Sequence, residues 1–190
     1  MLLTQTPSLK VQESRVRTAL RMADPSGTSA RKRSTLKRRV YSVPTPNAFW
    51  HLDTNHKLIT WKFVIHGCVD GFSRLQVHLD VSVDNLASTS LSHFVSSMKE
   101  FAIPGRIRID GGQEFNHIEK FMNDVVGHQR EIRCIRGKSV HNTRIERLWR
   151  DAREKVIDKY RFVFMHMEEN NILDVNVNIQ MYALHFVYLP

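Results

Sequence analysis

The sequence predicts an α/β fold: a mixed five-stranded sheet flanked by helices and preceded by a small basic helical segment. Three apolar or alternating stretches between residues 48 and 82 are joined by short turns, which indicates an antiparallel meander. Two shorter apolar strands follow, and each comes after a stretch with helical periodicity. Strands reached through helical crossovers pair in parallel, so the sheet is expected to be mixed, with helices on both faces.

The meander is the most regular part of the pattern. Ala48–Lys57 is expected to form the first strand and Trp61–Asp70 the second, followed by a hairpin turn in the sequence DGFSR. The third strand alternates strictly between polar and apolar residues, which is typical of a half-buried strand. Its apolar positions are Leu75, Val77, Leu79 and Val81.

The remaining elements follow from helical periodicity and short apolar runs. Asp84 or Asn85 is expected to cap a helix over residues 86–101. Ile107 and Ile109 then indicate a fourth strand that ends at Asp110. The elements expected after that strand are a helix over 115–126, a strand over 131–136, and helices over 142–160 and 178–188. The helix over 142–160 is expected to bury an apolar stripe formed by Ile145, Leu148, Trp149, Ala152 and Val156.

Positive charge is concentrated near the N-terminus. Residues 1–42 contain ten Lys or Arg and two acids, a net charge of +8, against +9 for the whole chain. Two basic helical stretches around a turn at Asp24–Ser29 are compatible with a helix-turn-helix. Such a block predicts a polyanion partner, nucleic acid being the simplest, and makes Arg31, Lys32 and Arg33 candidate contacts. The open alternatives are a solvated basic tail and a nuclear import signal, and the latter predicts a nuclear protein.

Composition narrows the class of protein. The sequence has no apolar run of about 20 residues, so we expect no membrane partner, and no secretory signal is visible at its start. Cys68 and Cys134 lie in separate apolar runs whose spacing forms no zinc motif, so we expect reduced, buried thiols. The expected domains are a basic segment and linker over 1–43, a core over 44–165, and a truncated helical extension over 166–190.

The predicted topology can bring three acidic side chains close to one another. Asp53 lies in the first strand, Asp110 ends the fourth, and Glu146 lies on the helix over 142–160. A fourth strand reached by a helical crossover can lie beside the first, which would bring the two aspartates together. Converging carboxylates repel one another, and a divalent cation relieves the repulsion; oxygen ligands favour Mg²⁺ or Mn²⁺. The alternative for Glu146 is a surface ion pair with Arg150 or Arg153.

The residues around these acids resemble the motifs of a known family. The stretches WHLDTNHKL, RIDGGQEF and NTRIERLWR are similar to the three acidic motifs of the retroviral integrase and DDE transposase superfamily. As in many members of that superfamily, 35 residues separate Asp110 from Glu146. The hairpin VDGFSR is also similar. The resemblance covers about residues 44–160 and is most specific for metazoan integrase-like proteins derived from transposons.

The resemblance implies an RNase H-like core in which Asp53, Asp110 and Glu146 form a catalytic D,D,E triad that binds Mg²⁺ or Mn²⁺. It implies Mg²⁺-dependent 3′ end cleavage and strand transfer into DNA. The implied partners are transposon ends and target DNA, and the implied working form is a homo-oligomer. Two alternatives stay open: a catalytically inactive module that binds nucleic acid or protein, and an RNase H-like nuclease.

Other polar residues near the acids are also assigned. Asp70 is interpreted as a hairpin residue, since Asp-Gly is turn chemistry. Glu114 is expected to support the start of a helix, and His51 and His56 to have structural or DNA-adjacent roles rather than to bind metal. The candidate contacts to DNA phosphates, with a plain solvated face as the alternative, are Lys138, Arg144, Arg147 and Arg150.

Overall fold

The computed structural model describes residues 12–33, 41–126, 132–137 and 142–189, without the side chains of residues 30–33, 125 and 126. The chain divides into two units, Met1–Tyr41 and Ser42–Pro190. All three candidate metal ligands lie in the second unit, so the site is described within that unit alone.

A mixed five-stranded sheet forms the centre of the second unit. Its strands are β1 Trp50–Asn55, β2 Val64–Asp70, β3 Gln76–Ser82, β4 Ile107–Ile109 and β5 Cys134–Arg136. They lie in the order β3-β2-β1-β4-β5. The first three strands are antiparallel, whereas β4 pairs in parallel with both β1 and β5. The predicted mixed sheet is confirmed, and the fourth strand does lie beside the first.

Helices cover both faces of this sheet. They are α3 Ala87–Phe101, α4 Asn116–Phe121, α5 Thr143–Ala152, α6 Asp158–Glu169 and α7 Asn178–Tyr188. α3 and α4 cover the face that carries Trp50 and Leu52, where Phe94 of α3 is fully buried. Cys68 and Cys134 are buried on the same side as free thiols, as predicted. The helices from α5 to α7 cover the opposite face, where their apolar side chains form a second buried cluster.

The helix that carries Glu146 changes its pitch midway. α5 continues into a π-helical segment, Arg153–Ile157, and then into α6. A π-helical turn contains more residues than an α-helical turn, so the buried face shifts along the sequence. Ile157 is therefore buried whereas Val156 is 46% exposed, and the predicted burial of Val156 is wrong. The helix also continues to Glu169, beyond the predicted end at residue 160.

α7 has the bounds that the sequence predicted and is apolar on two sides. Met181 and Leu184 are buried in the cluster beneath the helix. Ile179, Tyr182 and Phe186 point outward and are 71%, 66% and 77% exposed. Among the helices of the described residues, none is both long and apolar enough to cross a membrane.

In its described part, the first unit consists of two helices, α1 Glu13–Ala23 and α2 Pro25–Arg33. The predicted turn over Asp24–Ser29 is wrong, because α2 begins directly after Asp24. The Asp24 carboxylate accepts a hydrogen bond from the N–H of Gly27 at 2.7 Å, and proline is favoured at the first position of a helix. A capped helix start therefore replaces the turn, and the helix-turn-helix interpretation stays a prediction.

Candidate active site

Asp53 and Asp110 come together at the centre of the sheet. In the parallel β1–β4 pair, His51 lies opposite Arg108. The same register, continued by two residues, places Asp53 opposite Asp110, which directly follows β4. Because residues two apart on a strand share a face, Asp53 lies on the same side of the sheet as His51, the side that α5 covers. Two of the three predicted metal ligands are thus neighbours.

Asp53 carries the perturbed carboxylate of the site. Burial raises its pKa from 3.8 to about 6, and the negative charges of Asp110 and Glu114 add to the rise. Two hydrogen bonds act in the opposite direction. Asp53 Oδ1 accepts from the N–H of Thr54 at 3.0 Å, and Oδ2 accepts from the indole Nε1–H of Trp149 at 2.9 Å. Each oxygen keeps a lone pair, because a carboxylate oxygen has two.

The loop after β4 brings a further acid to β1. Glu114 lies in a short 3₁₀ turn, Gln113–Phe115, that leads into α4, in line with its expected role at a helix start. Its Oε1 also accepts a hydrogen bond from Thr54 Oγ1 at 2.8 Å. Asp110 Oδ1 accepts from the N–H of Gly112 at 2.9 Å, which holds the turn after the strand. The sequence did not indicate the contact between Glu114 and β1.

Glu146 lies in the first turn of α5 and is exposed. It lines a cavity of about 240 Å³ together with Asn55, Lys57, Trp149, Arg150 and Arg153. Across the described ranges of the chain, no group of three His, Cys, Asp or Glu side chains is arranged to hold a metal ion. The third predicted ligand therefore lies beside the end of β1, in a cavity shared with Trp149, and does not join the two aspartates here.

A buried hydrogen-bond network fixes the start of α5 against β1. Asn142 is 2% exposed; its Oδ1 lies 2.6 Å from His51 Nδ1, and its Nδ2 donates to the carbonyl of Leu52 at 2.9 Å. Because the amide oxygen is the acceptor, the proton of His51 is assigned to Nδ1. Burial lowers the pKa of His51 to about 4, so the ring is neutral near pH 7. The carbonyl of Asn142 accepts from the N–H groups of Ile145 and Glu146, which ties the helix start to the sheet.

The alternative surface ion pair of Glu146 is not formed. As far as the described residues show, Glu146 makes no ion pair, although Arg150 and Arg153 line the same cavity. Arg147 pairs instead with Asp151, with Nε and Oδ2 3.2 Å apart. Within the described part of the chain, no arginine thus lies within ion-pair distance of the Glu146 carboxylate.

The other predicted DNA contacts stay predictions. Arg144 is half-buried near His51, whose pKa its positive charge helps to lower. Lys138 lies outside the described residues. The structure describes the backbone of α2 but not the side chains of Arg31, Lys32 and Arg33.

Asp70, the other acid at a strand end, is a hairpin residue, as predicted. It is 2% exposed. Its carboxylate accepts hydrogen bonds from the N–H of Asn47 at 2.9 Å, and from the N–H and Oγ–H of Ser73 at 2.7 Å each. With these partners, Asp70 holds the β2–β3 turn against the segment before β1.

Replacing Asp70 with Asn is expected to lower the free energy of unfolding by about 1–2 kcal/mol, because the amide nitrogen cannot accept a hydrogen bond. The affinity for divalent cations should not change. Chemical denaturation and calorimetric titration with Mg²⁺ measure the two quantities. A weaker cation affinity in this variant would contradict the assignment of Asp70 to the hairpin.

The residues at the centre of the sheet fit a hard divalent cation. Asp53 and Asp110 offer only carboxylate oxygens as metal ligands, and Mg²⁺ and Mn²⁺ prefer oxygen ligands. Burial raises the pKa of Asp53, and the negative charges of Asp110 and Glu114 add to the rise, so the charged carboxylate is disfavoured. A bound cation would stabilise that charged form. These two carboxylates would hold the cation, and Glu146 is the candidate third ligand.

The same motifs lie within a region that matches a known family. Residues 40–190 match the family described as integrase core domain. The chain belongs to the integrase core domain family. Its mixed sheet with helices on both faces is the RNase H-like fold of that family, so the expected fold is confirmed. A comparison with curated protein sequences finds no match.

Solved structures of viral integrases are similar to this integrase core domain at low identity. One is the HTLV-2 integrase catalytic core domain in complex with magnesium, in a trimeric form (18% identity, TM-score 0.49, 76% of this chain and 88% of that chain). Its dimeric form is similar at 17% identity (TM-score 0.45, 75% and 88%). A third is the simian T-cell lymphotropic virus intasome in complex with PP2A regulatory subunit B56 gamma (14%, TM-score 0.48, 88% and 62%). The family assignment rests on the sequence match alone.

In the absence of divalent cations, replacing Asp53 with Asn is expected to stabilise the protein near neutral pH by about 1–2 kcal/mol. The pKa of Asp53 is about 6 when folded and 3.8 as the ordinary value, so the folded protein binds the proton more tightly. The wild type therefore loses stability as pH rises through this window, whereas the variant does not. Urea denaturation in EDTA at several pH values measures the difference. A gain that persists unchanged down to about pH 4 would contradict this explanation.

Proposed function

We propose that the protein is a DNA integrase- or transposase-type polynucleotidyl transferase, with Asp53, Asp110 and Glu146 as its D,D,E triad. The observation that carries the proposal is the register of β1 and β4, which sets the two aspartates side by side in a chain of the integrase core domain family. The proposed reaction is cleavage near a 3′ end, followed by strand transfer into a second DNA.

The carboxylates are proposed to hold cations and not to attack the substrate. Mg²⁺ or Mn²⁺ at this site would supply Lewis-acid activation of water or of a DNA 3′-hydroxyl. Asp53 lies in the paired part of β1 and Asp110 directly follows β4, so the sheet is proposed to set both positions before a cation arrives. Glu146 is exposed at the start of a helix that Asn142 ties to β1, and its side chain is expected to turn toward the aspartates when the cation binds.

The DNA backbone is proposed to lie along the basic surface beside Glu146. Lys57, Arg150 and Arg153 line the same cavity as Glu146, and Arg147, the residue after Glu146 on α5, is exposed. Positive side chains attract phosphates and release counterions from DNA, so this surface is suited to guide a strand to the aspartates. Transposon ends and target DNA are the proposed partners, a homo-oligomer the proposed assembly, and the nucleus the proposed location.

Strand-transfer assays with end-mimicking oligonucleotides test the proposal. The wild type is expected to cleave and join DNA only with Mg²⁺ or Mn²⁺, and Asp110→Asn to lower the rate at least about a thousandfold. Asp124→Asn, which changes an exposed acid on the segment after α4, is the matched control and should keep the wild-type rate. Equal rates in EDTA, or an active Asp110→Asn variant, would show that the proposed function is wrong.

A second candidate function is binding of nucleic acid without catalysis. It is favoured by one observation, that the described residues contain no cluster of three metal-ligating side chains. Calorimetry separates the two functions. DNA affinity without Mg²⁺ dependence, and no Mg²⁺ binding, would support the binding module, whereas Mg²⁺ binding that disappears in Asp53→Asn would exclude it.

A further inference from the structure

Gly67 occupies an unexpected place for a glycine, the middle of β2, which has paired strands on both sides. It lies opposite Asp53 on β1 and opposite Leu79 on β3. Glycine weakens the interior of a strand, because it loses more backbone entropy on folding and has no side chain to pack. In such a position it often marks the close approach of another group.

The group that approaches Gly67 is the indole ring of Trp149. A Cβ atom added at Gly67 would lie 2.7 Å from Cη2 and 3.0 Å from Cζ2 of this ring, which is closer than packed carbon atoms come. The far edge of the indole thus occupies the space that any other residue would fill with its own side chain. Only glycine at this position allows the ring to lie where it does.

The polar edge of the same ring reaches Asp53. The indole Nε1–H donates to Asp53 Oδ2 at 2.9 Å, while the N–H of Thr54 donates to Oδ1 at 3.0 Å. Both carboxylate oxygens are therefore held, and the rotation of the carboxylate is restricted. Because Gly67 and Asp53 are directly opposite each other, a ring seated on the first is placed to bond the second.

We infer that Trp149 is a positioning residue: seated on Gly67, it orients the Asp53 carboxylate for cation binding. The cation in this inference rests on the proposed function, whereas the hydrogen bond from Trp149 to Asp53 is observed in the structure. A ligand that is already oriented loses less freedom on binding, and groups that orient metal ligands raise affinity for that reason. The indole N–H can only donate, so it favours the charged, metal-binding form of the carboxylate.

Trp61 provides a matched control in the same chain. Its indole N–H also donates to a carboxylate, that of Glu168, and the residue is 3% exposed in the apolar cluster under α6. Neither Trp61 nor Glu168 lies at the candidate site. Trp61→Phe therefore removes the same donor and the same ring area as Trp149→Phe, but at a distance from Asp53.

Calorimetric titration with Mg²⁺ and with Mn²⁺ tests the inference on the full chain. Trp149→Phe is expected to weaken cation affinity about tenfold, the size expected for a hydrogen bond to a charged group. Trp61→Phe is expected to keep the wild-type affinity, even where it lowers the melting temperature more. An unchanged affinity in Trp149→Phe overturns the inference, whatever the stability of that variant.

Gly67→Ala tests the seat of the ring without removing the donor. The added methyl group should displace the indole and weaken cation affinity about as much as Trp149→Phe does. In the double variant, Gly67→Ala should add nothing, because the smaller phenyl ring leaves space for the methyl group and has no N–H to displace. Losses that add fully in the double variant would overturn the role of Gly67.

An NMR measurement separates failure of this inference from failure of the proposed function. The indole N–H resonance of Trp149, assigned with Trp149→Phe, is expected to shift in metal-free Asp53→Asn, because its acceptor changes. If the resonance does not shift, that result alone overturns the inference. If the resonance shifts but cation binding does not depend on Asp53, the hydrogen bond stands, the proposed function is wrong and the positioning role is wrong with it. If cation binding depends on Asp53 but not on Trp149, only the inference is wrong.

Discussion

Replacing Glu146 with Gln is expected to lower the rate of Mg²⁺-dependent strand transfer at least about a thousandfold, which corresponds to about 4 kcal/mol of transition-state stabilisation. The substitution keeps the size of the side chain and removes the negative charge that a cation needs. Glu146 stands apart from Asp53 and Asp110 in the described structure, so this variant decides whether it joins them during the reaction. Single-turnover kinetics on end-mimicking duplexes give the rate.

Glu154→Gln is the matched control for this prediction. Glu154 is an exposed acid on the π-helical segment that continues α5, so its replacement alters the charge of the same helix by the same amount. It should leave the rate within about twofold of the wild type, as for surface substitutions away from the site. Full activity in Glu146→Gln together with lost activity in Asp110→Asn would contradict the D,D,E triad and leave a site of two aspartates.

Replacing Asn142 with Ala is expected to lower the free energy of unfolding by about 3 kcal/mol, since each hydrogen bond that a buried polar group loses costs about 1–3 kcal/mol. The groups affected are the Nδ1–H of His51 and the carbonyl of Leu52, both bonded to the Asn142 side chain. Strand transfer should fall as well, because the start of α5 would no longer be tied to β1. Chemical denaturation and strand-transfer rates at a temperature where the variant is folded measure both effects.

Asn123→Ala serves as the control for Asn142. Asn123 is exposed, so its replacement should change the free energy of unfolding by no more than about 0.5 kcal/mol. A loss below about 1 kcal/mol for Asn142→Ala would contradict the buried network, since two desolvated groups should cost more. Normal strand transfer in a folded Asn142→Ala variant would show that the network supports stability but not the site.

Much of the sheet could be predicted because its signals are local. Strand periodicity and the Asp-Gly turn located β2 and β3, and the helical crossover before Ile107 left few positions for the fourth strand. The neighbouring positions of Asp53 and Asp110 follow from the same logic, since a parallel strand placed beside β1 brings its carboxyl end to the same edge. The bounds of α7, Asn178–Tyr188, were also predicted, from the apolar run that forms this helix.

Other features depend on packing that no local pattern encodes. Val156 was expected to be buried, but the π-helical segment rotates the helix and buries Ile157 instead. Trp149 was expected to serve only as an apolar core residue, because its spacing on α5 says nothing about where its N–H points. Gly67, a glycine inside an apolar strand, indicates that another group packs closely against the strand, but the sequence does not identify that group as Trp149.

By itself, the sequence determined the order of the strands and helices, the family, and the positions of the three acids along the chain. Only the tertiary structure decided which groups meet: Trp149 with Asp53, 96 residues apart, and Asn142 with His51, 91 residues apart. The physical reason is a difference in range. Periodicity and turn chemistry act over a few residues, whereas the orientation of a carboxylate and the burial of an amide are set by the packing of a helix against a distant strand.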